Sequence, residues 1–284
     1  MNTAILLLLV ASPVPAAGPR IHRDIAYAEP KNARQTLDVY APSEGRNHPV
    51  VIWIHGGGWR RGDKANVQHK PRAFVERGFV FVSTNYRFVP DITVSEMTGD
   101  VARASRWVHD HAREYGGDPD SLFIMGHSAG AHLAALVCTD ERYLKAEGLS
   151  LAHIKGCVPI DVGAYDVPKR IKESRSAPPA RFQEIFGESD EQHRNLSPAT
   201  HVASGKHIPS FLILHVAARP ETRSQSHAFA DRLMEAGVRA EVLACPGKTH
   251  GTINTELGLA QDQPTQAVFE FLAGKLKQLP KSTP

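Results

Sequence analysis

An α/β fold with a largely parallel sheet, covered by helices on both faces, is predicted by three observations. Short runs rich in β-branched and aromatic residues alternate with helix-length segments through most of the 284 residues. The central runs, Val50-Val51-Ile52-Trp53-Ile54 and Leu122-Phe123-Ile124-Met125, are continuously apolar, as strands buried on both faces are. Each of these two runs feeds a glycine-rich motif, and the second motif opens onto a helix-like stretch.

The strands fall at residues 25–28, 36–40, 50–54, 80–85, 122–125, 156–161, 210–215 and 239–244. The first two have no helix between them, so they form an antiparallel edge. Helices are expected over 66–77, 94–115, 128–139, 221–236 and 263–276. The second carries Val101, Ala104 and Val108 at helical spacing, and Asp118-Pro119-Asp120 stops the chain before the next strand. The stretch 162–208 is irregular, polar and proline-containing, with one amphipathic piece at 180–186. A loop of that length in a compact domain calls for a role, and a small lid or pocket wall is expected.

Composition narrows the function classes. A formal charge of +3 and the lack of any run of five basic residues argue against nucleic acid. With 42% hydrophobic residues the chain can bury a large core. Residues 1–17 resemble a signal peptide: an apolar stretch from Ala4 to Val10, then small residues around Ala16-Ala17. That stretch is too short for stable membrane insertion. A secreted or periplasmic location is expected, with one domain over 18–284. The missing basic n-region leaves a cytoplasmic protein with an N-terminal tail as the competing reading. Cys138, Cys157 and Cys245 have no metal-ligand spacing and read as buried free thiols.

The chemistry lies in the two motifs. Gly126-His127-Ser128-Ala129-Gly130 has the spacing of a nucleophile elbow, a sharp strand-to-helix turn that exposes a serine hydroxyl. The helix N-terminus beneath it offers free N–H groups and a positive dipole end. The glycines of His55-Gly56-Gly57-Gly58-Trp59 let further N–H groups approach the same point. No Lys-Ser/Thr follows them at phosphate-loop spacing, so neither a nucleotide nor any other cofactor is expected, and no metal. A serine hydroxyl needs a base. Of 15 histidines, His250 stands in a loop just past the last strand, at the sheet edge where Ser128 lies. His127 is tied inside the elbow, His132 lies on the following helix, His55 braces its own loop and His215 ends a strand.

With these motifs, and with Asn85-Tyr86-Arg87, Arg106-Trp107-Val108, Asp118-Pro119, Ser197-Pro198 and Thr249-His250-Gly251 in order, the chain resembles the α/β-hydrolase superfamily. Within it, it is similar to esterases with an HGGG oxyanion motif: hormone-sensitive-lipase-like carboxylesterases, kynurenine formamidases and bacterial feruloyl or acetyl-xylan esterases. The resemblance runs from about Tyr27 to Leu276. It implies an α/β-hydrolase fold, with a mostly parallel eight-stranded sheet and a small cap or none. It implies Ser128 as nucleophile, His250 as base, and the N–H groups of Gly57, Gly58 and Ala129 as oxyanion donors.

The acid departs from the pattern. Such esterases place an Asp before the helix that follows the strand ending near His215, and register on Pro220-Glu221 puts it at Ala218. Three readings compete: Glu221 substitutes, the chain is a weakened hydrolase-fold binding protein, or an Asp has been replaced in an otherwise intact enzyme. The intact remainder of the site favours the third. The expected function is hydrolysis of small to medium acyl esters through an acyl-enzyme, impaired by the absent acid. An N-formyl amide hydrolase is the close alternative. The expected partner is a small-molecule ester; the sequence leaves the oligomeric state open.

Overall fold

The computed structural model describes residues 18–173 and 179–278; the expected targeting segment lies outside them. Among the described residues one sheet of eight strands runs through the molecule. The strands are β1 (Arg20–Ala26), β2 (Thr36–Ala41), β3 (His48–Ile54), β4 (Val80–Thr84), β5 (Gly117–His127), β6 (Ile154–Ile160), β7 (Ser210–Val216) and β8 (Ala240–Cys245). The helices are α1 (Lys70–Val75), α2 (Val94–His111), α3 (Ala129–Thr139), α4 (Glu141–Ala146), α5 (Val167–Glu173), α6 (Pro179–Phe186), α7 (Asp190–Asn195), α8 (Pro220–Glu235), α9 (Thr252–Thr255) and α10 (Gln263–Leu276).

The spatial order is β1-β2-β4-β3-β5-β6-β7-β8. β2 is antiparallel to both neighbours, and the pairings from β4 across to β8 are parallel. This is the α/β-hydrolase fold. Side-chain alternation along β3 divides the core: Val50, Ile52 and Ile54 pack toward α2 and α3, while Val51 and Trp53 pack toward α1 and α10. All three cysteines are buried and free.

Differences from the sequence reading have local causes. β1 starts at Arg20, five residues before the expected strand, because its first residues sit exposed on the sheet edge and need no apolar side chains. The helix expected over 94–115 ends at His111 and continues as a 3-10 turn to Tyr115, where Gly116 takes a left-handed conformation (φ 79°) and stops it. The stretch 162–208 is not irregular throughout: its described residues include three short helices, α5, α6 and α7. Polar α7 was invisible to hydrophobic periodicity; a capping box between Ser189 and Gln192 starts it.

The parallel arrangement brings the carboxyl ends of β3, β5, β6, β7 and β8 to one edge. The glycine motif, Ser128, Asp161, Ala217–Arg219 and His250 all follow those ends.

Candidate active site

Ser128 sits between β5 and α3 with φ 56° and ψ −122°, a strained conformation for a residue with a side chain. Its N–H donates to Ile160 O at 2.9 Å, which ties the elbow to β6. Close packing explains the flanking glycine at 130: a Cβ there would lie 2.2 Å from Ile54 O. Gly57 takes φ 137°, and a Cβ there would stand 1.8 Å from Arg61 O. The loop after β3 can therefore turn back on itself at Arg61 only with glycine at this position. Gly58 and Ser128 line the same cavities, and Ala129 opens α3 with a first-turn N–H.

His250 Nε2 lies 3.0 Å from Ser128 Oγ. Its segment is held from three sides. His127 Nε2–H donates to His250 O at 2.9 Å, Lys70 Nζ donates to Asn254 O at 2.8 Å, and Lys248 is ion-paired with Glu256 and Asp262. Burial pushes the Lys70 ammonium down to about 7.

The acid beside His250 is Asp161, which immediately follows β6. Its Oδ2 lies 2.6 Å from His250 Nδ1, and its Oδ1 accepts the Val216 N–H at 3.0 Å. The carboxylate is fully buried and also ion-paired with Arg219. Burial alone would raise its pKa. Hydrogen bonds from His250 and the Val216 N–H, together with the Arg219 and His250 charges, outweigh burial and hold the carboxyl well below the ordinary range. Asp161 has φ 51°, in the left-handed region that Asp enters more readily than most residues.

Arg219 Nη1 also comes within 2.7 Å of His250 Nδ1. A guanidinium only donates, and a carboxylate on Nδ1 requires a proton there too. The approach is therefore two donors converging on Asp161 Oδ2. Asp161 thereby selects the tautomer whose Nε2 is free to take a proton from Ser128.

This corrects the expectation for the acid. Ala218 borders a separate cavity with Pro220, Arg223 and His227, on whose wall neither Ser128 nor His250 stands. Glu221 faces Arg219, with Oε1 3.4 Å from Nη2, and is not the fallback partner of His250. The absent carboxylate at 218 is matched by one at 161. Neighbouring parallel strands lie about 4.8 Å apart, so the ends of β6 and β7 can serve the same histidine. In the sequence Asp161 stands at the end of an apolar strand, a setting that does not by itself tie it to His250.

His55, His127 and His132, near the site, are each tied to a backbone carbonyl. His55 Nδ1–H donates to Gly56 O at 2.8 Å and the ring stacks on Tyr86, which braces the glycine loop. His132 Nε2–H donates to Leu196 O at 2.8 Å. Burial drives the pKa of His55 and His132 down to about 4, and that of His127 to about 3. These rings are neutral in the fold and protonate in the unfolded chain below its ordinary value near 6.5. Between about pH 6.5 and 4 the unfolded state binds more protons, so stability falls as pH falls. The expected slope is about 1.4 kcal/mol per pH unit for each histidine. Urea midpoints measured from pH 7 to 4.5 check this; a flat profile would refute it.

Two cavities meet at Ser128 and His250. One of about 690 Å³ runs along the glycine loop past His127 and Asn254. The other, of about 270 Å³, is walled by Trp59, Val162, Phe182 and Ile185. Trp59, the last residue of the glycine motif, lines this second cavity. Phe186 packs edge-on against Trp59, while Phe88 packs against Tyr86. Among the described residues no cluster of three or more His, Cys, Asp or Glu is placed to hold a metal, and no helix is long and apolar enough to cross a membrane.

A hydroxyl, an imidazole and a buried carboxylate in line, beside a glycine loop, form the arrangement for acyl transfer. Known proteins agree with this fold. The chain is 31% identical over 268 residues to esterase LipQ of Mycobacterium tuberculosis, covering 88% of this chain and 61% of that protein. It is 29% identical over 246 residues to the isoprenylcysteine alpha-carbonyl methylesterase of Arabidopsis thaliana, covering 81% of this chain and 56% of that one. The chain thus spans little more than half the length of these curated relatives. Esterase B of Lactobacillus rhamnosis has the same fold, with a TM-score of 0.78 at 20% identity over 92% of this chain and 88% of its own. The BD-FAE family model matches residues 37–233, from β2 through most of α8 and so across both glycine motifs and Asp161; the chain belongs to the BD-FAE family.

Proposed function

We propose that this chain is a serine-dependent carboxylic ester hydrolase acting on small to medium acyl esters. One observation carries the reading: Ser128 Oγ, His250 and Asp161 stand in hydrogen-bonded line at 3.0 and 2.6 Å. In this mechanism His250 Nε2 takes the Ser128 proton as Oγ attacks the ester carbonyl. The N–H groups of Gly57, Gly58 and Ala129 receive the oxyanion, and Asp161 stabilises the imidazolium. Collapse passes the proton to the leaving alcohol and leaves an acyl-enzyme. Water, activated by the same histidine, then releases the acid.

The names of the relatives support ester hydrolysis, and none of those cited is an amide hydrolase. The binding-protein reading rested on Ala218 alone and loses its motive with Asp161 in place. A fluorophosphonate probe tests the reading: it labels the native chain and spares Ser128→Ala. Labelling of both equally would remove Ser128 from its role.

Helices α5 and α6 supply part of the pocket wall through Arg170, Phe182 and Ile185, and the cavity of about 270 Å³ limits the acyl group. Acetyl to hexanoyl p-nitrophenyl esters are expected to be hydrolysed at least about 10-fold more efficiently than dodecanoyl, since a misfitted chain forfeits a few kcal/mol of burial. A profile rising to long chains would contradict the assignment of that cavity. Export with removal of residues 1–17 also belongs to this proposal; mass spectrometry of the chain from its native host, finding Met1 retained, would defeat it.

A further inference from the structure

We propose that the smaller cavity beside Ser128 takes an acyl group bearing a carboxylate, held by Arg170. The inference deepens the esterase reading and rests on it. Trp59, Val162, Phe182 and Ile185 form the apolar side of this cavity, and Asp161 lies on its wall next to the reacting groups. Two guanidinium-bearing side chains, Arg170 and Arg219, also line it. Arg219 is committed to Asp161 and Glu221. Arg170 is different. It is half-buried on α5, with its guanidinium carbon 5.4 Å from the centre of the Phe182 ring.

Among the described residues, no carboxylate forms an ion pair with Arg170. Glu221, which attracts it through space, pairs with Arg219 instead. Burial disfavours its charge; Glu221 and Glu173 act against this from a distance, and the like charge of Arg219 adds to it. Asp161 on the same wall is engaged by Arg219 and His250, so among the described residues Arg170 has the Phe182 ring beside it and no carboxylate in direct contact. An anion entering the cavity supplies the missing counter-charge and accepts hydrogen bonds from the guanidinium fork.

The acyl chain is assigned to the smaller cavity, whose volume of about 270 Å³ suits a short chain, and the alcohol to the larger one. His250 stands on the wall of both, so its Nε2 reaches the leaving alcohol in this arrangement. The acyl chain then occupies the smaller cavity, with its far end toward α5. The substrate class is the monoester of a short dicarboxylic acid. The bond broken is the ester C–O bond; the second carboxylate only binds.

The test is pH-stat hydrolysis of monomethyl glutarate and of methyl hexanoate, a neutral ester of similar length. The expected kcat/KM ratio favours monomethyl glutarate by at least about 10-fold in the native chain, as one charge-assisted hydrogen bond allows. Arg170→Met is expected to lower the glutarate value about 10- to 100-fold and leave methyl hexanoate within about threefold, with Arg170→Lys recovering part of the loss. Equal rates on the two esters, or an equal loss on both in Arg170→Met, overturns the proposal and leaves the esterase reading standing. Hydrolysis of both surviving in Ser128→Ala strikes the esterase reading itself, and the proposal with it.

Discussion

Asp161→Asn lowers kcat by about four orders of magnitude, the cost known for the equivalent change in a serine protease. The reason is a forced tautomer. Asp161 Oδ1 accepts the Val216 N–H and Oδ2 accepts from His250 Nδ1. An asparagine keeps its carbonyl oxygen on the Val216 N–H and turns its NH₂ toward Nδ1. That ring nitrogen must then accept, so the proton moves to Nε2, where it blocks removal of the Ser128 proton. KM is expected to change less than kcat, because Asp161 acts on the reaction through His250. Ala218→Asp in the native chain is the control. With Asp161 already on Nδ1, it is expected to leave kcat within about threefold of native, on the non-additivity of groups that act as one unit. A rise of a hundredfold in Ala218→Asp, with Asp161→Asn harmless, would return the acid to position 218. Circular dichroism at matched temperature separates a catalytic loss from unfolding, since Asp161 is also the counter-charge of Arg219.

Ser128→Ala removes still more, about 10⁵- to 10⁶-fold in kcat toward p-nitrophenyl butyrate, by comparison with nucleophile deletions in a subtilisin-type triad. The elbow itself is strained at φ 56°. Loss of Oγ relieves none of that backbone strain and removes one hydrogen bond, the one to His250 at 3.0 Å. Thermal stability is therefore expected to stay within about 1 kcal/mol of native. His250→Ala in the Ser128→Ala background adds almost no further loss, because base and nucleophile work together. A double variant much slower than either single one would mean that His250 has a second route to the ester.

How far the sequence carried differs from residue to residue. Ser128 was legible because a strained strand-to-helix turn needs small neighbours in a fixed pattern, and the constraint is local. His250 was legible because parallel strands bring their carboxyl ends to one edge, so any histidine following the last strand arrives near the elbow. The buried strands were legible as continuous apolar runs. Edge strand β1 was shortened and helix α7 was missed, since neither needs the apolar pattern by which elements are found.

Asp161 marks the boundary. Its neighbours in the chain give it no distinctive setting, and it lies 89 residues from His250 in sequence. The sequence by itself determined the strands, the elbow, the glycine loop and the histidine, because each follows from short-range sterics or from burial along one strand. Only the tertiary structure decided which carboxylate meets Nδ1. That choice depends on adjacent strand ends about 4.8 Å apart, and on the Val216 N–H and the Arg219 charge, which hold the Asp161 carboxylate ionised where it is buried.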